Sequence, residues 1–128
     1  MNSFTLTFLR HAESEGNAGG YHQGQKGFPL TPRGVKQIRH LIARWQADGT
    51  QIDQVFINPI QRAEGTADLI CQAFNCPLEI DPDWRERDVG RLTGLKRSEA
   101  DQVVPKPEFF TPFDNVGDTG EGNWALFL

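Results

Sequence analysis

Phe4-Thr5-Leu6-Thr7-Phe8-Leu9 runs directly into Arg10-His11-Ala12-Glu13-Ser14-Glu15-Gly16-Asn17. The first six residues are uncharged and rich in β-branched and aromatic types, which predicts a buried strand. From Arg10 to Gly27 the chain is polar and glycine-rich, which predicts a loop of functional length. Thr31-Pro32 reads as an N-cap followed by proline at the first helical position. Val35, Ile38, Leu41, Ile42 and Trp45 recur at helical spacing behind it, and Asp48-Gly49 closes the helix. A second strand is expected over Ile52 to Ile57. Asn58-Pro59 repeats the cap-and-proline signal before a helix whose apolar face is Ala63, Ala67, Ile70 and Phe74. Leu78-Glu79-Ile80 is a short third strand. Strand, loop, helix, strand, helix, strand is the order of an α/β fold with parallel neighbours. Such sheets place their sites at the carboxyl ends of the strands. Beyond Asp81 the pattern loosens. A short helix is expected over Ser98 to Val104, stopped by Pro105 and Pro107, with no element from Pro105 to Asn123.

The chain has 128 residues, 38% hydrophobic and 23% charged, which suits one globular domain and excludes collagen-like or strongly disordered classes. Its formal charge of −4 argues against a general grip on nucleic acid. No apolar run nears the roughly 18–20 residues that span a bilayer, and Met1-Asn2-Ser3 lacks the features of a signal peptide. A cytoplasmic protein is expected. Its two cysteines, Cys71 and Cys76, make neither a disulfide framework nor a zinc site, and read as two thiols.

Three segments carry chemistry. His11 follows the first strand, where an imidazole can attack phosphorus and hold the phosphoryl group covalently. That requires a neutral ring, oriented through its other nitrogen, and cations around the phosphate oxygens. Arg10 offers a guanidinium fork beside it. Arg62 stands in the first turn expected of the second helix, where backbone N–H groups favour an anion. Glu86 follows the third strand, in Trp84-Arg85-Glu86-Arg87-Asp88-Val89-Gly90. A carboxyl group there could protonate a leaving oxygen and then activate water. Taken singly, each has a plain alternative: a structural histidine, an arginine on a solvated helix face, a charged turn.

Together they resemble the histidine phosphatase superfamily, the phosphoglycerate mutase-like proteins. The resemblance rests on Arg10-His11-Ala12-Glu13, on Asn17, on Gln23-Gly24 with Phe28-Pro29-Leu30-Thr31-Pro32-Arg33-Gly34, on Arg62-Ala63 with Thr66-Ala67, and on Glu86, Gly90 and Gly94-Leu95. It implies a three-layer α/β/α fold with a mostly parallel sheet. It implies His11 as phosphoryl-accepting nucleophile, Glu86 as general acid, and Arg10 and Arg62 as ligands of the phosphoryl oxygens. Asn17, Gln23, Gly24 and Arg87 would line the substrate side. No metal and no cofactor are implied.

The sequence also departs from the family's pattern. Ala12 stands where glycine is common, and Gly120-Glu121-Gly122 stands where Gly-Glu-Ser is usual. Family members carry a second histidine on a later strand, whereas no histidine follows His40. That strand lies inside the family's sheet, between the first two strands named above. The expectation is therefore a single, incomplete domain over residues 1–128 that lacks the family's C-terminal part. Its exposed edges invite a homo-oligomer or a strand-completing partner. The expected activity is phosphomonoester hydrolysis through phospho-His11, on a phosphorylated small molecule. The alternatives are a phosphoglycerate mutase-type phosphoryl transferase and a non-catalytic, phosphate-binding remnant.

Overall fold

The computed structural model describes residues 3–103, so Pro105, Pro107, Glu121 and the apolar Trp124–Leu128 run lie outside the described residues. In chain order the elements are α1 (Glu15–Ala18), α2 (Pro32–Ala47), β1 (Val55–Ile57), α3 (Gln61–Phe74), β2 (Leu78–Ile80) and α4 (Arg97–Val103). Two 3-10 turns, Pro82–Trp84 and Gly90–Leu92, lie between β2 and α4.

β1 and β2 pair in parallel, with Val55 opposite Leu78 and Ile57 opposite Ile80. α3 is the crossover between them and packs on both strands and on α2. This is the α/β architecture with parallel neighbours that the element order implied.

Each helix forms for local reasons. Thr31 caps α2 by accepting the Gly34 N–H at 2.9 Å, and Pro32 occupies the first turn, where its missing donor costs nothing. α2 ends at Asp48, followed by Gly49 with φ +70. α3 starts later than Asn58-Pro59 suggested. Its N-cap is Ile60, which has no side chain that can accept, while the Asn58 side-chain oxygen is buried without a hydrogen-bond partner. Asn75 closes α3 in the left-handed region at φ 51. α1 was read as loop. It exists because Ser14 and Asn17 form a reciprocal capping box.

The core lies where α2 and α3 meet. Ile38 and Ile42 of α2 and Ile70 of α3 bury with Ala12, and Leu30, Trp45, Ile52, Val55 and Phe74 pack around them. Trp45 meets Phe74 edge-on at 6.2 Å. Burying an isoleucine fully is worth about 1.5–3 kcal/mol. A smaller cluster of Val89, Leu92 and Ala100 holds the β2–α4 region together.

The first strand is where expectation and structure part. Phe4–Leu9 is not a strand, and Phe4, Leu6 and Phe8 are 87%, 79% and 80% exposed. Strand propensity measures fit to neighbours, not an intrinsic backbone preference. Among the described residues no strand pairs with this segment. The second strand is shorter than read, Val55–Ile57, for the same reason: only these residues face β2.

Candidate active site

His11 lies just past Phe4–Leu9, and its neighbour Ala12 is locked into the core. The Ala12 N–H donates to Thr66 Oγ1 at 3.1 Å, and the Thr66 hydroxyl donates to the Arg62 carbonyl at 2.8 Å. One threonine on α3 thus ties the His11 segment to the turn that carries Arg62. Glu13 ties it to α2 as well: its carbonyl accepts the Thr31 N–H at 3.0 Å and its N–H donates to Gln37 Oε1 at 3.0 Å. The close fit needs glycine at 34, because a Cβ there would stand 2.1 Å from the Glu13 carbonyl oxygen.

The hydrogen bonds of His11 select its tautomer. Nδ1–H donates to the Ala12 carbonyl at 2.7 Å, and Nε2 accepts from Arg62 Nε–H at 3.1 Å. Nδ1 therefore carries the proton and Nε2 the free lone pair. Partial burial, first of all, pushes the His11 pKa below 6.5; the Ala12 hydrogen bond opposes this, while the Arg62 and Arg10 charges add to the lowering and Glu86 opposes it. Neutral imidazole is the form a nucleophile needs.

Arg62 is 3% exposed, and every arm of its guanidinium is engaged. Nε–H donates to His11, Nη1–H to the Lys26 carbonyl at 3.2 Å, and Nη2–H to the Gly24 carbonyl at 3.0 Å. Glu86 Oε2 lies 3.7 Å from Nη2. Burial lowers the Arg62 pKa from its ordinary value, Glu86 opposes this, and the Arg10 charge adds to the lowering. The charges of Arg10 and Glu86 act on both His11 and Arg62. Arg10 itself is exposed. The other carboxylate oxygen of Glu86 accepts the Arg87 N–H at 2.9 Å, and the Glu86 carbonyl accepts from Gln25 at 3.0 Å.

The remaining expected residues are placed differently from one another. Gly24 takes part through its carbonyl, and its φ of +48 with Val89 Cγ2 only 2.8 Å from a would-be Cβ explains the glycine. Asn17 spends its side-chain oxygen on the Ser14 N–H at 3.0 Å, so it shapes α1. The Gln23 amide lies 2.6 Å from Ser14 Oγ, which also lies 2.9 Å from Asn17 Oδ1. Ser14 has a single hydroxyl hydrogen and Asn17 Oδ1 is an acceptor, so when the hydroxyl donates to Asn17 the Gln23 contact requires its amide N–H to point back. Arg87 is half-buried beside Glu86. Reasoning from sequence gave no role to Thr66 or to the Lys26 carbonyl. Thr66 could have been found four residues after Arg62, on the same helix face.

The sequence profile of the histidine phosphatase superfamily (branch 1) matches residues 6–121. The chain belongs to the histidine phosphatase superfamily. It is 36% identical over 84 residues to a probable phosphoglycerate mutase of Cronobacter sakazakii, covering 66% of this chain and 38% of that protein. It is 33% identical over 120 residues to the metal-independent phosphoserine phosphatase of Arabidopsis thaliana, covering 91% of this chain and 50% of that one. The alpha-ribazole phosphatase of Shigella flexneri superposes with a TM-score of 0.75 at 26% identity, over 92% of this chain and 59% of its own. A mycobacterial glucosyl-3-phosphoglycerate phosphatase, solved with VO3, superposes with a TM-score of 0.65 at 26% identity, over 76% of this chain and 47% of its own. The chain spans half or less of the length of these two curated relatives. Superfamily proteins similar to it thus include both phosphatases and mutases. Among the described residues, no helix is long and apolar enough to cross a membrane.

Proposed function

We propose that this chain accepts a phosphoryl group on His11 Nε2 and acts as a phosphomonoester phosphatase. The observation that carries the reading is the pair of hydrogen bonds on His11: Nδ1–H held by Ala12, and Nε2 presented to the Arg62 fork. An incoming phosphoryl group takes the place of the imidazole as partner of Arg62 Nε–H, with Arg10 supplying further charge. As the Nε2–P bond forms, the ester P–O bond breaks, and the leaving oxygen takes a proton from the Glu86 carboxyl. Water then attacks phosphorus and returns a proton to Glu86. The N–P bond breaks, inorganic phosphate leaves and His11 is restored. Spreading charge on the phosphoryl oxygens is what fixed cations stabilise best.

Incubation with a labelled phosphomonoester, rapid quenching and peptide mapping test this. An acid-labile label on the His11 peptide, absent from His11→Ala, is expected. Phosphate release that survives His11→Ala would overturn it. A second reading, phosphoglycerate mutase-type transfer, is favoured by the mutase names among the relatives at 30–37% identity. Turnover that requires a bisphosphorylated primer would select it over hydrolysis. Vanadate binding without label or phosphate release is the result expected if this chain alone is a phosphate-binding remnant.

A further inference from the structure

Cys71 and Cys76 stand on either side of the left-handed residue that ends α3. The carbonyl of Cys71 accepts the Asn75 N–H and, at 3.3 Å, the Cys76 N–H. With Asn75 in the left-handed region, this last bond is the six-to-one closure of a Schellman motif. The motif folds the chain back so that the side chain of the residue after the cap meets the one three positions inside the helix end. An apolar contact usually fills that place. Here both residues are cysteines, and both are unbridged and half-buried.

We propose that Cys71 and Cys76 form a dithiol modification site, converted reversibly to an intramolecular disulfide by small disulfides of the glutathione type. The hairpin-like return of the backbone brings the two residues close together, as a disulfide requires. Burial, then the hydrogen bond and charge of Cys76, and lastly the charge of Asp68, push the Cys71 thiol up to about 11. Cys71 is therefore held as a thiol near neutral pH, which assigns the first attack to Cys76. The Cys76 sulfur attacks one sulfur of the small disulfide and expels the first small thiol. Cys71 then gives up its proton, attacks the Cys76 sulfur of the mixed disulfide and expels the second. Two protein thiols are oxidised, and one small disulfide is reduced to two thiols that carry the released protons. Cys71 and Cys76 stand at the opposite end of α3 from Arg62, and their modification does not depend on the phosphatase reading.

The test treats the native chain with glutathione disulfide, quenches with an alkylating agent, and reads intact mass and a non-reducing peptide map. The expected species has lost about 2 Da and both alkylatable thiols together, carries a Cys71–Cys76 crosslink, and reverts with dithiothreitol. The bridged share is expected to be larger in native protein than in urea. Asn75→Gly, which keeps the left-handed cap, should retain the bridge, whereas Asn75→Val, whose β-branching opposes that conformation, should reduce it. Separate glutathione adducts on each thiol, disulfide-linked dimers, or a bridged share no larger in native protein than in urea would each overturn the proposal. The wild-type measurement decides even if a cap variant does not fold.

Discussion

Thr66→Val isolates the contact that joins the His11 segment to α3. Valine matches threonine in shape, so no cavity opens and the change is confined to the hydroxyl. That hydroxyl has two bonds in the structure, from the Ala12 N–H at 3.1 Å and to the Arg62 carbonyl at 2.8 Å. The second is nearly dispensable, because the Arg62 carbonyl also lies in the ladder of α3. The first is not, because the buried Ala12 N–H donates to the Thr66 hydroxyl. Leaving a buried donor unpaired costs about 1–3 kcal/mol. The extra buried methyl offsets part of this, about 0.8 kcal/mol. The net destabilisation is then about 0.2–2 kcal/mol, and each kcal/mol lowers the melting temperature by about 4–8 °C in domains of 60–100 residues. The same substitution loosens the backbone of Ala12, the residue whose carbonyl orients the His11 ring, so vanadate affinity should fall as well. Thr66→Ser supplies the control. It loses a buried methyl and stability of similar size, but it keeps the hydroxyl and should keep vanadate affinity. Urea denaturation and vanadate titration of wild type and both variants make the comparison. If Thr66→Val melts and binds as wild type does, or if Thr66→Ser loses affinity equally, the positioning argument is wrong.

Other consequences follow from the same geometry. Arg62→Met removes the donor aimed at His11 Nε2 and should weaken vanadate binding by about 10²–10³-fold; calorimetric titration showing less than about a tenfold change would exclude Arg62 as the main phosphoryl ligand. The His11 pKa lies below its ordinary 6.5, so as pH falls through 6.5 the unfolded chain takes up the proton first. This contribution to stability is full above 6.5, declines as pH falls toward the folded-state value, and levels off below it. Urea midpoints measured against pH should show the decline, and His11→Gln should flatten it; a rise on acidification that His11→Gln removes would reverse the sign assigned here. Gly34→Ala would drive a methyl toward the Glu13 carbonyl at 2.1 Å. It should cost on the order of 1–3 kcal/mol, and an unchanged melting temperature would show that α2 can withdraw freely. Gly24→Ala combines φ +48 with a clash against Val89; it should destabilise by at least about 1 kcal/mol, checked by the same denaturation assay.

Much of the fold was legible because it is set by local chemistry. Thr31-Pro32 starts α2 as capping predicts, and the faces Ile38–Ile42 and Ala67–Ile70 turn inward at helical spacing. Asn58-Pro59 misled by two residues, since a cap is defined by where the backbone enters the helix and not by which residue could cap it. Phe4–Leu9 misled more deeply, because a run of strand-forming residues becomes a strand only where a neighbour offers a ladder. The short helix α1 was hidden inside a polar stretch, where a capping box depends on two side chains reaching each other.

The candidate site divides in the same way. Residue types and their order were enough to nominate Arg10, His11, Arg62 and Glu86, because phosphoryl transfer needs a nucleophile, cations and an acid in one place. Which nitrogen of His11 is free, which carbonyls hold Arg62 and which hydroxyl ties the two segments depend on the relative placement of α3 and the loops. The approach of Cys71 and Cys76, read from sequence as two thiols, depends instead on the left-handed cap at Asn75. Sequence by itself determined the helices α2 and α3, which follow from capping and short-range spacing, and, through the motifs it shares with the superfamily, the family and the candidate reactive groups. Tertiary structure alone decided tautomer, partners and pairing, since hydrogen bonds and strand ladders act between groups that only the folded chain brings within about 3 Å of one another.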